Sequence, residues 1–294
     1  MPRQKTVQVL SLSMAHFNFN GKLYVADTPV IGADSRGLRY GDGLFETFKC
    51  VNGELILFDE HLARLWNGLN LLQFAIPKFF TPDKLQREIS SLLAKNNHRN
   101  ARIRLSVVRG DGGLYDYKDS MQYIIQSWPL SENVAALNDN GLQLGIYREA
   151  KKPIDAFSNC KHNNFLPYFM AALYARQMKL NDALVINHHG RICDTTIANV
   201  FYIKQEQLFT PPLSEGCIAG VMRKTIIQTL LLNNLPVNEE PLTEDLLREA
   251  DEVFITNSIS KMRWVKSIEN KSYTRHRTTE IHRVLSETIP ALFC

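Results

Sequence analysis

Residues 43–72 constrain the fold more than any other stretch of the chain. The run GLFETFKCVNGELILF from Gly43 to Phe58 reads as two strands broken at Asn52-Gly53, a dipeptide that takes up the positive φ angles of a tight hairpin. Directly after it, EHLARLWNGLNLLQF sets Leu62, Leu65, Trp66, Leu69 and Leu72 on one helical face, with Asp59 expected as the cap. A hairpin feeding an amphipathic helix calls for a sheet with one covered face. The pattern continues: KLYVADTPV near residue 22 reads as a strand, and a second helix is expected after Thr81-Pro82-Asp83, where a capping residue precedes proline. ARIRLSVVRG alternates as a strand from Ala101 to Arg109, with MQYIIQSWPL as its partner across GDGGLYDYKDS.

Residues 131–142 are polar and turn-rich and mark the best boundary, giving a smaller N-terminal domain over 1–130, a linker over 131–142 and a larger C-terminal domain over 143–294. The second half offers GLQLGIYRE as a strand, a helix from about Pro167 to Met178, and strands in DALVINHHGRI and ANVFYIKQEQLFT. Further helices are expected from Gly220 through TIIQTLLL and over Thr243 to Ala250, with DEVFITNS as a strand. Hairpins mixed with strand–helix alternation suggest an α+β chain of two mixed α/β domains rather than one doubly wound sheet.

Composition narrows the function classes. With 34 Lys+Arg against 30 Asp+Glu the net charge is +4, and no basic block is long enough to track a phosphate backbone, so nucleic acid is not expected as a partner. At 45% hydrophobic and 22% charged residues the chain is an ordinary globular one. No run approaches the roughly 18 apolar residues of a membrane span, and the N-terminus has too short an apolar core for a secretory signal, so a cytoplasmic location is expected. The odd set Cys50, Cys160, Cys193, Cys217 and Cys294 contains no C-x-x-C pair, and the eight histidines form no H-x-x-x-H pair, so reduced thiols and no metal are expected.

Taken singly, the candidate residues are ambiguous. Lys161 in SNCKHNN is either a solvated charge or an amine pinned among polar neighbours, and imine chemistry needs the latter. Asp194, the lone acid of GRICDTTIANVF, is either a turn cap or a buried acid able to hold a ring nitrogen protonated. In GCIAGVMRKTII, Gly220 opens a helix whose first amides are donors for an anion. The hydroxyl and amide groups of TNS at Thr256 to Ser258 offer similar donors. Arg64 is a surface salt bridge or a guanidinium on a phosphate. GDGG at Gly110 to Gly113 lacks both phosphate-loop spacings and reads as a tight turn.

Their order along the chain is more informative. RYGDGLFET, HLARL, KHNN, GRICDTTIANVF, GVMRKT and FITNS, spread over about Lys22 to Val265, together resemble the fold-type IV pyridoxal-phosphate enzymes, or class IV aminotransferases. That family includes branched-chain and D-amino-acid aminotransferases and 4-amino-4-deoxychorismate lyase. The resemblance implies a D-amino-acid aminotransferase-like fold with pyridoxal 5'-phosphate between two domains. It implies Lys161 as the lysine that forms the internal aldimine and later moves the α-proton. Arg64, the amides of Val221 and Met222 and the hydroxyl of Ser258 fall where the family holds the phosphate. Asp194 stands where the family has a glutamate against the pyridine nitrogen, and is one methylene shorter, so the ring must sit closer or a water must bridge. Tyr40, Phe45, Arg109, Tyr115 and Tyr117 fall at the implied pocket mouth, where the alternative is aromatic packing. A homodimer acting on small amino-acid and 2-oxo-acid substrates is implied as well.

Within the family the motifs divide. Glu46 in GLFET looks like the aminotransferases, since the lyase pattern has threonine there, whereas KHNN, RGDGG and GVMR look like the lyase. Leu114 and Asp116 stand where the D-amino-acid branch has arginine and histidine, and Leu166 replaces the tyrosine of the branched-chain branch five residues after the lysine. The expectation is an aminotransferase of branched-chain-like or broad preference. Aminodeoxychorismate lyase, releasing pyruvate and 4-aminobenzoate, is the alternative, and a non-catalytic pyridoxal-phosphate-binding protein is the alternative of another class.

Overall fold

The computed structural model describes residues 15–116, 118, 120–130 and 136–293, and in it the chain builds two sheets. The first comprises β1 (His16–Phe19), β2 (Lys22–Val25), β3 (Gly43–Val51), β4 (Glu54–Leu55), β5 (Ala101–Arg109) and β6 (Met121–Pro129) in the order β2-β1-β6-β5-β3-β4, every pairing antiparallel. Three helices accompany it: α1 (Arg36–Tyr40), α2 (Phe58–Leu71) and α3 (Pro82–Asn96). The period-two pattern of β5 explains the layering. Ala101, Ile103, Leu105 and Val107 are fully buried against Leu62, Leu65 and Leu69 of α2 and Leu85, Ile89 and Leu92 of α3. Each of the valine, leucine and isoleucine side chains contributes roughly 1.5–3 kcal/mol by leaving water. The alternate residues Arg102 and Arg104 stand beside Lys49 and Thr47 of β3 on the opposite face, which looks toward the second half of the chain.

Thr81 caps α3 as expected, its side chain accepting from the Lys84 amide at 3.3 Å. At α2 the structure differs from the sequence reading: Leu57, at φ 53, is the N-cap, and Asp59 lies inside the first turn. There it supports the helix through the dipole and not through a cap hydrogen bond.

The second sheet holds β7 (Leu142–Lys152), β8 (Asp182–Asn187), β9 (Ile192–Thr195), β10 (Asn199–Lys204), β11 (Gln207–Thr210), β12 (Val237–Glu239), β13 (Glu252–Asn257), β14 (Lys261–Ile268) and β15 (Lys271–Ser272). Helices α4 (Leu166–Gln177) and α5 (Val221–Leu232) make the crossovers that the parallel pairs β7–β8 and β11–β12 require. Three more helices follow in α6 (Glu244–Glu249), α7 (His276–Thr288) and α8 (Pro290–Phe293). Strand β9 pairs with both β8 and β10, the latter through Asn199 opposite Asp194, so β10, β13, β14, β7, β8 and β9 close into a ring. The closure sets Asp194 and Asn199 side by side. Strand β7 runs on to Lys152, beyond the GLQLGIYRE of the sequence reading, because Lys151 and Lys152 pair with Ile186 and Asn187 of β8, and Lys152 is buried there.

Among the described residues no helix is long and apolar enough to cross a membrane, and no group of three or more His, Cys, Asp and Glu is placed to hold a metal. Cys50, Cys160, Cys193 and Cys217 are unbridged.

Candidate active site

Backbone hydrogen bonds between the two halves fix the position of Lys161. The amide of Phe45 donates to the Lys161 carbonyl at 2.9 Å, and the amide of Asn163 donates to the Gly43 carbonyl at 2.9 Å. Gly43 allows this approach, since a Cβ there would lie 2.3 Å from the Val107 carbonyl oxygen and 2.5 Å from Asn163 Nδ2. The lysine side chain is held between rings, with Nζ 4.7 Å from the centroid of Phe45 and 5.4 Å from that of Phe165. Burial, reinforced by the nearby Arg64 charge, brings the Lys161 ammonium down to about 8. That is the state a nucleophilic amine requires.

Lys161 opens into a cavity of about 450 Å³ between the sheets. Phe45, Arg64, Asp194, Val221, Met222 and Ser258 also line it, together with Arg102 and Arg104 from the first sheet. Seven of the residues singled out in the sequence are thus brought to one cleft, from segments more than 200 positions apart. Arg109 points elsewhere: it bonds Asp42 at 3.0 Å and the carbonyls of Leu72 and Gln73. Tyr40 stands against the guanidinium groups of Arg36 and Arg39, and Tyr115 is 96% exposed, neither lining this cavity. Tyr117 lies outside the described residues.

One end of the cleft is organised by Glu46. Its carboxylate takes a two-pronged contact from Arg64, Nε to Oε1 at 2.8 Å and Nη2 to Oε2 at 2.6 Å, and a third bond from His61 Nδ1 at 2.7 Å. Burial alone would raise the Glu46 carboxyl, but the guanidinium charge and its hydrogen bonds prevail and hold it at about 2. His61 is pushed down by burial and is neutral, so its Nδ1 carries the proton given to Glu46. The remaining arm of Arg64, Nη1, donates to the Ala219 carbonyl at 2.9 Å, just ahead of α5. No side chain caps α5, which leaves its leading amides beside Arg64 as donors for an anion.

The other end is organised by Asp194. Oδ2 accepts from Tyr168 Oη at 2.7 Å, from the Ile218 amide at 2.9 Å and from Lys152 Nζ at 3.4 Å, while Oδ1 accepts from Asn199 Nδ2 at 2.9 Å. Gly220 lets α5 close over this group, because a Cβ would lie 1.9 Å from Asn199 Oδ1. Burial raises the Asp194 carboxyl, and Lys152 only partly offsets it. Tyr168, Lys152 and Asn199 were not singled out in the sequence. Asn199 is legible in the sequence, five residues past Asp194 in GRICDTTIANVF. Lys152 is not, since lysine at a strand end reads as solvated.

Comparison with known proteins decides the family. The profile described as amino-transferase class IV matches residues 43–268, which contain the whole cleft. The chain belongs to the class IV aminotransferases. It is 29% identical over 91% of its length to a Methanocaldococcus jannaschii protein, 93% of which is covered, named "Putative branched-chain-amino-acid aminotransferase". It is also 29% identical to the aminodeoxychorismate lyase of Vibrio harveyi, over 80% of this chain and 88% of that one. The fold matches the crystal structure of the Escherichia coli branched-chain amino acid aminotransferase with a TM-score of 0.83, over 95% of both chains at 23% identity. The molecule is therefore a fold-type IV enzyme, and the cofactor of its family is pyridoxal 5'-phosphate. The cleft suits that cofactor, with an uncapped helix start beside Arg64 for its phosphate, a buried amine for its aldehyde, and an Asp194 Oδ1 that has a single protein donor for its ring nitrogen.

Proposed function

We propose that this enzyme moves an amino group between an amino acid and a 2-oxo acid, and that one partner in the exchange is a dicarboxylic acid. The observation that carries the proposal is the wall of the cleft formed by Arg102 and Arg104. Arg104 lies 3.8 Å from the centroid of the Phe45 ring and Arg102 lies 4.4 Å from that of Trp128. Neither guanidinium has a carboxylate partner among the described residues. Two uncompensated guanidinium groups in a half-enclosed cleft favour a substrate with anionic groups at both ends.

When bound, pyridoxal phosphate supplies an aldehyde that condenses with amines and a protonated ring that accepts electron density. The chain supplies the rest. Arg64, held by Glu46, the amides of Val221 and Met222 and the Ser258 hydroxyl would hold the phosphate, and Asp194 would accept from the ring nitrogen. Lys161 Nζ, whose ammonium burial brings down to about 8, would take the α-proton from one face of the substrate and hold it for return on that same face. Phe45 and Phe165 exclude water from the lysine. Tyr40 and Tyr115, which stand away from this chain's own cavity, would meet the substrate from a second copy of the chain in a homodimer. The exposed apolar residues Leu166 and Phe169 of α4 support such an assembly.

The lyase reading stays second, favoured by GVMR at the head of α5 and by the fact that aminodeoxychorismate also carries two carboxylates. A spectrum separates the two. Conversion of the cofactor band by a dicarboxylic amino acid alone, reversed by a 2-oxo acid, is the expected result. A band that no amino acid converts, with pyruvate released from aminodeoxychorismate and no need for a 2-oxo acid, would replace transamination by the lyase.

A further inference from the structure

Among the described residues Lys152 is the one cation bonded to Asp194, yet it does not line the cavity. Its side chain is 4% exposed and that of Asp194 2%, so the pair is withdrawn from water, and Lys152 Nζ also stands 5.2 Å from the centroid of the Tyr168 ring. The donors divide unevenly between the carboxylate oxygens. Among the described residues Oδ2 is filled by Lys152, Tyr168 and the Ile218 amide and Oδ1 has only Asn199, which leaves Oδ1 as the oxygen with a lone pair to spare. A carboxyl group buried this deeply reverts to the neutral acid without a counter-charge. The other titratable groups around it are Tyr168 on α4, Cys193 beside it on β9, Cys217 ahead of α5 and Lys161 across the cleft. Tyr168 and both thiols are raised by burial and stay neutral, and Lys161 must itself be neutral to react.

We propose that Lys152 is a positioning residue of the cofactor site: its ammonium keeps Asp194 ionised and turned so that Oδ1 is a ready acceptor for a protonated ring nitrogen. The shorter aspartate is then held in place by a fixed ammonium from behind instead of by reach. A lysine serving only the packing of β7 would stabilise the fold and leave the ring contact untouched.

The inference rests on pyridoxal phosphate as the cofactor, and binding to the unloaded protein tests it without turnover. The probes are pyridoxal phosphate and its analogue with carbon in place of the ring nitrogen, titrated by fluorescence into wild type, Lys152→Met, Lys152→Gln and Lys152→Arg. Wild type is expected to prefer pyridoxal phosphate strongly, Lys152→Met to reduce that preference about 10-fold or more, and Lys152→Arg to restore most of it. Lys152→Gln, which keeps a hydrogen-bond donor without the charge, should behave as Lys152→Met and serves in its place should the latter not fold. Asp194→Asn should lose the preference by itself, with Lys152→Gln adding nothing to it. An unchanged preference in both neutral variants, or additive losses in the double variant, would overturn the role of Lys152. A wild type that binds neither probe would overturn the cofactor assignment, and the inference with it.

Discussion

The two buried carboxylates at either end of the cleft begin from the same disadvantage and come out opposite. Glu46 and Asp194 are 1% and 2% exposed, and desolvation is the largest influence on each. Glu46 nevertheless falls to about 2 while Asp194 rises. The difference lies in the partners. A planar guanidinium meets both oxygens of Glu46 at 2.6–2.8 Å with an imidazole as third donor, whereas Asp194 has a single ammonium at 3.4 Å and otherwise neutral donors. Burial alone does not settle the state of an acid; the geometry of its cation does. The Glu46 end is therefore a fixed electrostatic frame, whereas the charge at the Asp194 end depends on one ammonium, that of Lys152.

Lys161 stands between these ends, and its replacement should have the largest effect. Lys161→Ala is expected to lower turnover by roughly a thousand-fold or more, since nucleophile and proton carrier go together, with cofactor still bound through the phosphate end. Retained turnover would dissolve the comparison, because neither end would then serve the lysine. Next comes Glu46→Gln, which leaves the Arg64 charge without its counter-ion. It should destabilise the fold by about 3–5 kcal/mol and weaken cofactor binding, read by thermal unfolding and by cofactor titration. If Asp194→Asn lost as much stability, the two ends would not differ in the way described.

Acid titration sharpens the contrast. Glu46 contributes stability fully present above 4.5 and lost as pH falls toward about 2, an effect of roughly 3 kcal/mol. Asp194 has the opposite sign: its native carboxyl lies above 3.8, the folded state holds the extra proton, and stability falls as pH rises through that window. Calorimetry of the unloaded protein between pH 2 and 7 should show the acid-side rise vanish in Glu46→Gln and the following decline vanish in Asp194→Asn. Lys161 adds a third window, from about 8 to 10.5, where the unfolded chain binds the proton and stability rises with pH.

How much of this was legible in the sequence differs between the same two regions. The first sheet announces itself through local signals: Asn52-Gly53, the α2 stripe and the Thr81-Pro82 cap all act within a few residues, so the hairpin and α3 were readable. Strand β1 was not, having four residues and too little pattern, and neither was α1, whose RGLRY has no stripe. At the site, Lys161, Asp194 and Arg64 could be named because a motif order carries them. What they touch could not. Tyr168 reaches Asp194 only because α4 folds back on β8, and Lys152 only because β7 and β9 flank β8 in the ring. These are long-range consequences of topology, invisible to spacing.

The smallest expected effect concerns the wall that faces both ends. Arg102 and Arg104 occupy alternate positions of β5, the face left free because Ile103 and Leu105 are buried in the core, so truncating either should leave the fold intact. Arg104 is the better desolvated of the two, its guanidinium lowered by burial and by Arg102 beside it, so its interaction with a carboxylate is the less screened. Arg104→Ala should therefore raise KM for a dicarboxylic substrate about 10-fold, with little change for a monocarboxylic one, and Arg102→Ala less. Equal losses on both substrate types would show that the wall acts on the common α-carboxylate instead. The selectivity would then have to come from the surface a second chain brings to the cleft.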